Sequence, residues 1–323
     1  MNVLDELSDY RHVGCEEFDE CGVYADYLRE NGMNALSIIH LNIRSYRKNF
    51  DDFIILLECL KHKFDIVILT ETWLSLDENI THLEEYCRFR TSVKFNQNDG
   101  VLIYVRSELN ASCKEINIGG VNCLDLDCYR DGQKFGVLCV YRCQGLDLSN
   151  FIGGLEDRYD DRRNSFNDTI EIIAGDINCN ILLNQINNIS NRYLDALYEA
   201  GFVSCVNVPT RRTAFTSTCI DHIFVKHVDV EALRPAVLRC DITDHYATSI
   251  LIKNKNYSPN MRPAPLYASI DYLKLSETVS RQNWDDITTI ESVNQCTESL
   301  LEKSKKYKIV VLLTNQKPLN LKK

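Results

Sequence analysis

Seven short apolar runs rich in β-branched residues recur between residues 36 and 252, and they limit what this chain can fold into. They are LSIIHL (36–41), DIVILT (65–70), GVLIYV (100–105), FGVLCVY (135–141), EIIAG (171–175), HIFVK (222–226) and YATSILI (246–252). Each has the length and composition of a buried strand. Between the first two, Phe50, Phe53, Ile54, Leu57, Leu60 and Phe64 repeat at helical spacing, which predicts a helix over 50–64. A second helix fits ISNRYLDALYEAG (189–201), with Gly201 where a C-terminal cap belongs. Strands with few, widely spaced helices imply two packed sheets with helices outside, not an alternating βαβ barrel.

Charge is unevenly distributed within the overall −10 of the 323 residues. Residues 1–35 carry a net −7 and residues 254–323 a net +4, which leaves −7 for 36–253. The acidic first 35 residues have no sustained period and read as a loosely ordered leader. NKNYSPNMRPAP (254–265) reads as a linker, and beyond it lies a weakly helical, basic tail to residue 323. The globular unit is therefore expected over 36–253. An acidic centre argues against a protein that coats phosphate backbones, but does not exclude an enzyme that holds a phosphodiester through a metal ion, so the charge balance alone decides little.

No apolar run approaches the ~18–20 residues of a membrane span, and the start lacks the basic and apolar stretches of a secretory signal. A nuclear or cytoplasmic protein is expected, with no membrane partner. Without a secretory signal the 14 cysteines read as reduced thiols rather than a disulfide framework, and because they include no CxxC pair a structural zinc site is not expected.

Residues that bind metal or phosphate stand at the boundaries of these runs. LSIIHL leads into Asn42, DIVILT into Glu71, FGVLCV into Tyr141, and EIIAG into Asp176 with Asn178 two residues on; Asp221 opens one strand, and Asp244 and His245 precede another. Singly, an Asp or Asn after a strand is ordinarily a turn or cap residue, and Glu71 or Asp244 a solvated charge. The order N…E…Y…GDxN…D…DH, with every member at a strand boundary, points instead to one crevice at a sheet rim. Burying so many acids and amides there is costly unless they are paired or bind a cation.

HLNIRS (40–45), LTETWLS (69–75), VYR (140–142), AGDIN (174–178), IDHIF (220–224) and TDHYA (243–247) resemble the endonuclease/exonuclease/phosphatase superfamily, over about residues 36–253. More closely they resemble the apurinic-type endonuclease domain of non-LTR (LINE-like) retrotransposons. The resemblance implies a DNase I-like, four-layer α/β sandwich of two packed mixed β-sheets flanked by helices. It also implies a metal-dependent DNA endonuclease that leaves a 3′-hydroxyl and a 5′-phosphate.

Carried across by position, Glu71 is the main ligand of Mg²⁺ (or Mn²⁺), helped by Asn42, and hard cations suit such oxygen donors. Asp176 aligns or deprotonates the attacking water. Asn178 and Tyr141 hydrogen-bond the scissile phosphate. His245 contacts a non-bridging oxygen, Asp221 orients His245, and Asp244 completes the metal and histidine environment. Contacts to double-stranded DNA are expected from Arg44, Arg47, Lys48, Arg142, and from Arg211 and Arg212 in PTRRTAFTST (209–218), which resembles a groove-entering hairpin.

The chain departs from the family pattern in Cys143-Gln144 after Tyr141-Arg142, where relatives often carry prolines. Before the VLIYV strand only Asp99-Gly100 remains of a glycine run, and Thr243 stands for the usual serine. None of these removes a catalytic atom. The resemblance further implies a reverse transcriptase domain in the intact element. Its Y/F-A-D-D signature is absent here, so a truncated or degenerate copy, or a separately encoded endonuclease, is expected. An abasic-site repair nuclease, a lipid-headgroup phosphatase of the same superfamily, and a catalytically idle binding module are the rival readings.

Overall fold

The computed structural model describes residues 13–160, 169–182, 185–253 and 295. The chain divides into two units, Met1–Pro259 and Asn260–Lys323, and every element below belongs to the first. The linker and tail expected over 254–323 lie outside the described residues, Gln295 apart.

All seven apolar runs are strands. The elements are β1 (Glu16–Phe18), α1 (Cys21–Asn31), β2 (Ala35–Asn42), α2 (Tyr46–Leu60), β3 (Ile66–Thr70), β4 (Tyr86–Arg90), β5 (Val101–Arg106), β6 (Ser112–Ile118), β7 (Val121–Arg130) and β8 (Gln133–Tyr141). They continue with α3 (Leu148–Asp160), β9 (Ile170–Asp176), α4 (Asn188–Glu199), β10 (Val203–Ser204), β11 (Arg211–Arg212), β12 (Ser217–Thr218), β13 (Asp221–Lys226), β14 (Leu233–Leu238) and β15 (Ala247–Lys253). One mixed sheet runs β1-β14-β15-β2-β3-β5-β4, the other β10-β13-β9-β8-β7-β6, and β11 and β12 form a separate hairpin.

Strand alternation assigns the two faces of the first sheet. Leu36 and Ile38 of β2, Ile66 and Ile68 of β3, and Val101, Ile103 and Val105 of β5 pack toward the second sheet, among Val121, Leu126, Val137 and Ile172. The intervening Ile39, Leu41, Val67, Leu69 and Leu102 pack outward on Phe50, Phe53, Leu56 and Leu60 of α2 and on Tyr24 and Leu28 of α1. On the far side, Tyr193 of α4 packs against His222 and Phe224 of β13. The result is helix, sheet, sheet, helix. Even-numbered positions of β2 face the inter-sheet space, so His40 and Asn42 point the same way as Leu36 and Ile38.

α2 begins four residues before the expected start and ends at Leu60, where Lys61 takes a left-handed conformation (φ 51°). Phe64 is buried beyond the helix. α4 closes as expected, with Gly201 at φ 90° and its N–H on the Tyr198 carbonyl. The loosely ordered leader is corrected for residues 13–35: β1 pairs in parallel with β14, and α1 packs on the first sheet. Residues 1–12 lie outside the described residues.

Gly175 lies opposite Val140 where β8 and β9 pair in parallel. Its φ is +142°, and a Cβ there would stand 1.9 Å from the Val140 carbonyl oxygen. Gly175→Ala is therefore expected to lower unfolding free energy in urea by about 3 kcal/mol or more. Gly153→Ala, in open space on α3, should change it by about 1 kcal/mol or less.

Candidate active site

Register lines the site up before any side chain is considered. Tyr141 pairs with Asp176 between β8 and β9, and Asp176 with Asp221 between β9 and β13, so three of the candidate residues form one row across the second sheet. On the first sheet Asn42 ends β2 opposite Thr70, the last residue of β3. Glu71 follows at once in a left-handed turn (φ 50°), and Thr243 to His245 lead into β15. The ends of both sheets meet here.

Asn42 is wholly buried, and its amide joins the sheets: Nδ2 donates to Glu71 Oε1 at 2.9 Å and to Asp176 Oδ2 at 2.7 Å. Its own Oδ1 accepts the Arg44 N–H at 3.2 Å, and its carbonyl accepts the Thr243 hydroxyl at 3.0 Å. Glu71, Asp176 and His245 each bring one potential ligand atom within 4.8 Å of the others. His245 Nδ1 donates to Asp221 Oδ2 at 2.9 Å, while Thr210 Oγ1 donates to the same oxygen at 2.7 Å. The Asn178 N–H donates to Asp176 Oδ1 at 2.9 Å from a left-handed turn (φ 53°). The Thr243 hydroxyl also accepts the His245 N–H at 3.0 Å.

The electrostatics are those of a site with excess negative charge. Burial, and then repulsion from Asp221, push the Asp176 carboxyl up to about 7. Burial, with Glu71 and Asp176 nearby, lifts the Tyr141 hydroxyl well above its ordinary range. Burial disfavours the charged form of both Asp221 and His245, but their mutual attraction outweighs it: His245 rises to about 9 and Asp221 falls below the usual carboxylate range. Two converging carboxylates with an amide between them fit a hard divalent cation, whose charge would relieve the repulsion.

The two Asp-His dipeptides have different fates. Asp221 faces the site, while His222 points to the opposite face of β13, bonded to the Tyr193 hydroxyl and the Cys219 carbonyl. Arg142 does not stand at a DNA-facing rim. It is buried, and its guanidinium donates to the carbonyls of Ile177, Asn178, Cys143 and Leu146, bracing the turn that carries Asp176 and Asn178. Asp244 lies outside the three-residue cluster and pairs with Arg44 and Arg211. Arg47 is exposed and paired with Glu78, and Lys48 and Arg212 are exposed.

Two contributors escaped the sequence reading, Thr210 and His40. His40 is fully buried behind Asp221, 4.0 Å from Oδ1, with its ring nitrogens on the hydroxyls of Thr70 and Thr248. Its signal was present, because it precedes Asn42 by two residues in a strand and so shares its face.

Such a crevice can hold a cation against a phosphate ester and offer an imidazolium beside it. The family model described as the Endonuclease/Exonuclease/phosphatase family matches residues 39–245. The chain belongs to that family. Among solved structures, it is similar to the endonuclease domain of TRAS1, a telomere-specific non-LTR retrotransposon, at 13% identity and a TM-score of 0.54, over 68% of this chain and 99% of that one. The Xenopus laevis APE2 catalytic domain gives 17% identity and a TM-score of 0.53 over 71% and 95%. An AP endonuclease from Archaeoglobus fulgidus gives 16% identity and a TM-score of 0.51 over 68% and 100%. At these identities the likeness is one of fold. A search of curated protein sequences finds no match. Among the described residues, no helix is long and apolar enough to cross a membrane.

The Asp221–His245 pair has a measurable consequence. Pairing raises His245 above its ordinary 6.5 to about 9, so the stability it contributes is whole below about pH 6.5 and is lost as pH rises through about 9. In metal-free protein, the His245 ring resonances in NMR should titrate near pH 9, and Asp221→Asn should move that transition down by more than one pH unit.

Proposed function

We propose that the protein is a divalent-metal-dependent DNA endonuclease that hydrolyses one phosphodiester and leaves a 3′-hydroxyl and a 5′-phosphate. The observation that carries this reading is the convergence of Asn42, Glu71, Asp176 and the Asp221–His245 pair from two sheets into one crevice. Glu71, with Asn42 beside it, would hold Mg²⁺ or Mn²⁺, which when bound supplies Lewis-acid stabilisation of charge on the phosphate.

The chain's own residues do the rest. Asp176 orients the attacking water and accepts its proton at a carboxylate oxygen, a task to which a group lifted to about 7 is matched; the water oxygen bonds to phosphorus as the P–O3′ bond breaks, and the departing 3′-oxygen takes a proton from solvent to become the 3′-hydroxyl. Asp221 holds Nδ1 of His245, which leaves Nε2–H to donate to a non-bridging phosphate oxygen as charge builds there. The Tyr141 hydroxyl and the Asn178 amide steady the same phosphate. Asn178 is kept in place by its Nδ2 bond to the Arg142 carbonyl and by Gln144.

For the DNA, the β11–β12 hairpin is the main support. Its tip is stiffened by the Thr213 hydroxyl, which accepts the N–H groups of Phe215 and Thr216, and it holds Phe215 at 96% exposure beside exposed Arg212. An aromatic ring and arginines on a firm hairpin suit a duplex groove. In a non-LTR element, the nick would provide the 3′-hydroxyl for a reverse transcriptase.

Supercoiled plasmid should be nicked with Mg²⁺ and left intact in EDTA, and Glu71→Ala and His245→Ala should each cut the rate by about a hundredfold or more. Full activity in both variants, or cleavage without metal, would contradict the reading, and faster cutting of an abasic duplex than of an intact one would favour a repair nuclease. Charge reversal of the hairpin, Arg211→Glu with Arg212→Glu, should weaken duplex binding and flatten its logarithmic salt dependence by about two.

A further inference from the structure

Asp244 lies between two guanidiniums. Its Oδ1 accepts from Arg44 Nη1 at 2.5 Å and its Oδ2 from Arg211 Nε at 2.8 Å. The side chains are 23% exposed at Asp244, 44% at Arg44 and 27% at Arg211, so the trio is open to a ligand. Backbone contacts hold all three members. The Arg44 N–H is on Asn42 Oδ1, the Arg212 N–H is on the Asp244 carbonyl, and Arg211 forms a β-bridge with His245. The trio is thus tied to Asn42 on one side and to His245 on the other.

Stability does not explain this arrangement, since open ion pairs contribute only about 0–1 kcal/mol. Its chemistry does suggest a use. The trio carries a net positive charge, and the clasp uses one N–H of each guanidinium, leaving the other donors of each for a partner. Unpinned, the two cations would repel and wander. With a carboxylate between them, they stand side by side at a fixed spacing, and guanidinium forks match phosphate oxygens.

We propose that Asp244 is a positioning residue that sets Arg44 and Arg211 as a paired grip for one backbone phosphate of a nucleic-acid strand, next to the phosphate at the Glu71–Asp176–His245 crevice. This assignment rests on the nuclease reading and differs from a place for Asp244 in the metal environment. It inverts simple electrostatics: neutralising Asp244 adds positive charge yet loosens the grip.

Binding of the full chain to a short fluorescein-labelled duplex, measured by anisotropy in EDTA, separates the possibilities, because without metal a metal ligand has nothing to contribute. Asp244→Asn should weaken binding about tenfold and flatten the logarithmic salt slope by about one. Binding as tight as wild type, or tighter, overturns the proposal. Should Asp244→Asn fold poorly, the exposed arginines carry the test. Arg44→Ala and Arg211→Ala should each weaken binding severalfold, and the double variant should be little worse than the weaker single, as for two hands on one phosphate. Losses that simply multiply overturn the grip. Nicking is read separately: a chain that binds duplex with this coupling but never cuts sinks the nuclease reading alone, and one that cuts while Asp244→Asn binds normally sinks the grip alone.

Discussion

One buried amide holds the site together. Asn42, at the end of a strand in the first sheet, gives both of its N–H groups to carboxylates, Glu71 in the turn after the neighbouring strand β3 and Asp176 at the end of β9 in the other sheet. Without a donor between them the two acids would repel in this largely buried crevice. With it, the ends of two separate sheets are drawn to one point, and the same residue receives the Arg44 N–H and the Thr243 hydroxyl from the two flanking loops. Strand register then delivers Tyr141 and Asp221 beside Asp176 at no further conformational cost.

Behind this front lies a second layer that settles which groups carry charge. Asp221 is fully buried, and it stays ionised because His245 and Thr210 both donate to it. His40, close by, remains neutral, since burial holds it down to about 4 and threonine hydroxyls satisfy both nitrogens. The inner polar layer is thus paired within the protein, whereas the Glu71 and Asp176 carboxylates converge on the Asn42 amide in front of it. This division separates a reactive crevice from a merely polar core.

Much of the architecture was legible because burial imposes a period. The β-branched runs mark strands buried on both faces, and the aromatic repeat marks α2. β1 and α1 were not legible for the same reason: in α1 only Tyr24 and Leu28 are buried, too few to set up an apolar period. The order of the site residues could be read because each closes or opens a strand. Direction could not be. Arg142 and Arg211 look alike in sequence, yet one is turned inward onto four carbonyls and the other outward onto Asp244. Likewise the partners of Asp244 come from positions 33 and 200 residues away in the chain, a separation that no local pattern encodes.

The proposed chemistry requires a cation held at Glu71, where the ends of the two sheets meet. Crystals soaked in Mn²⁺ and measured at the manganese absorption edge test this directly. An anomalous peak in contact with a Glu71 carboxylate oxygen, within the crevice that Asp176 and His245 share, is the predicted result. A crevice without a peak at saturating Mn²⁺, or manganese bound only at distant surface acids, would contradict it.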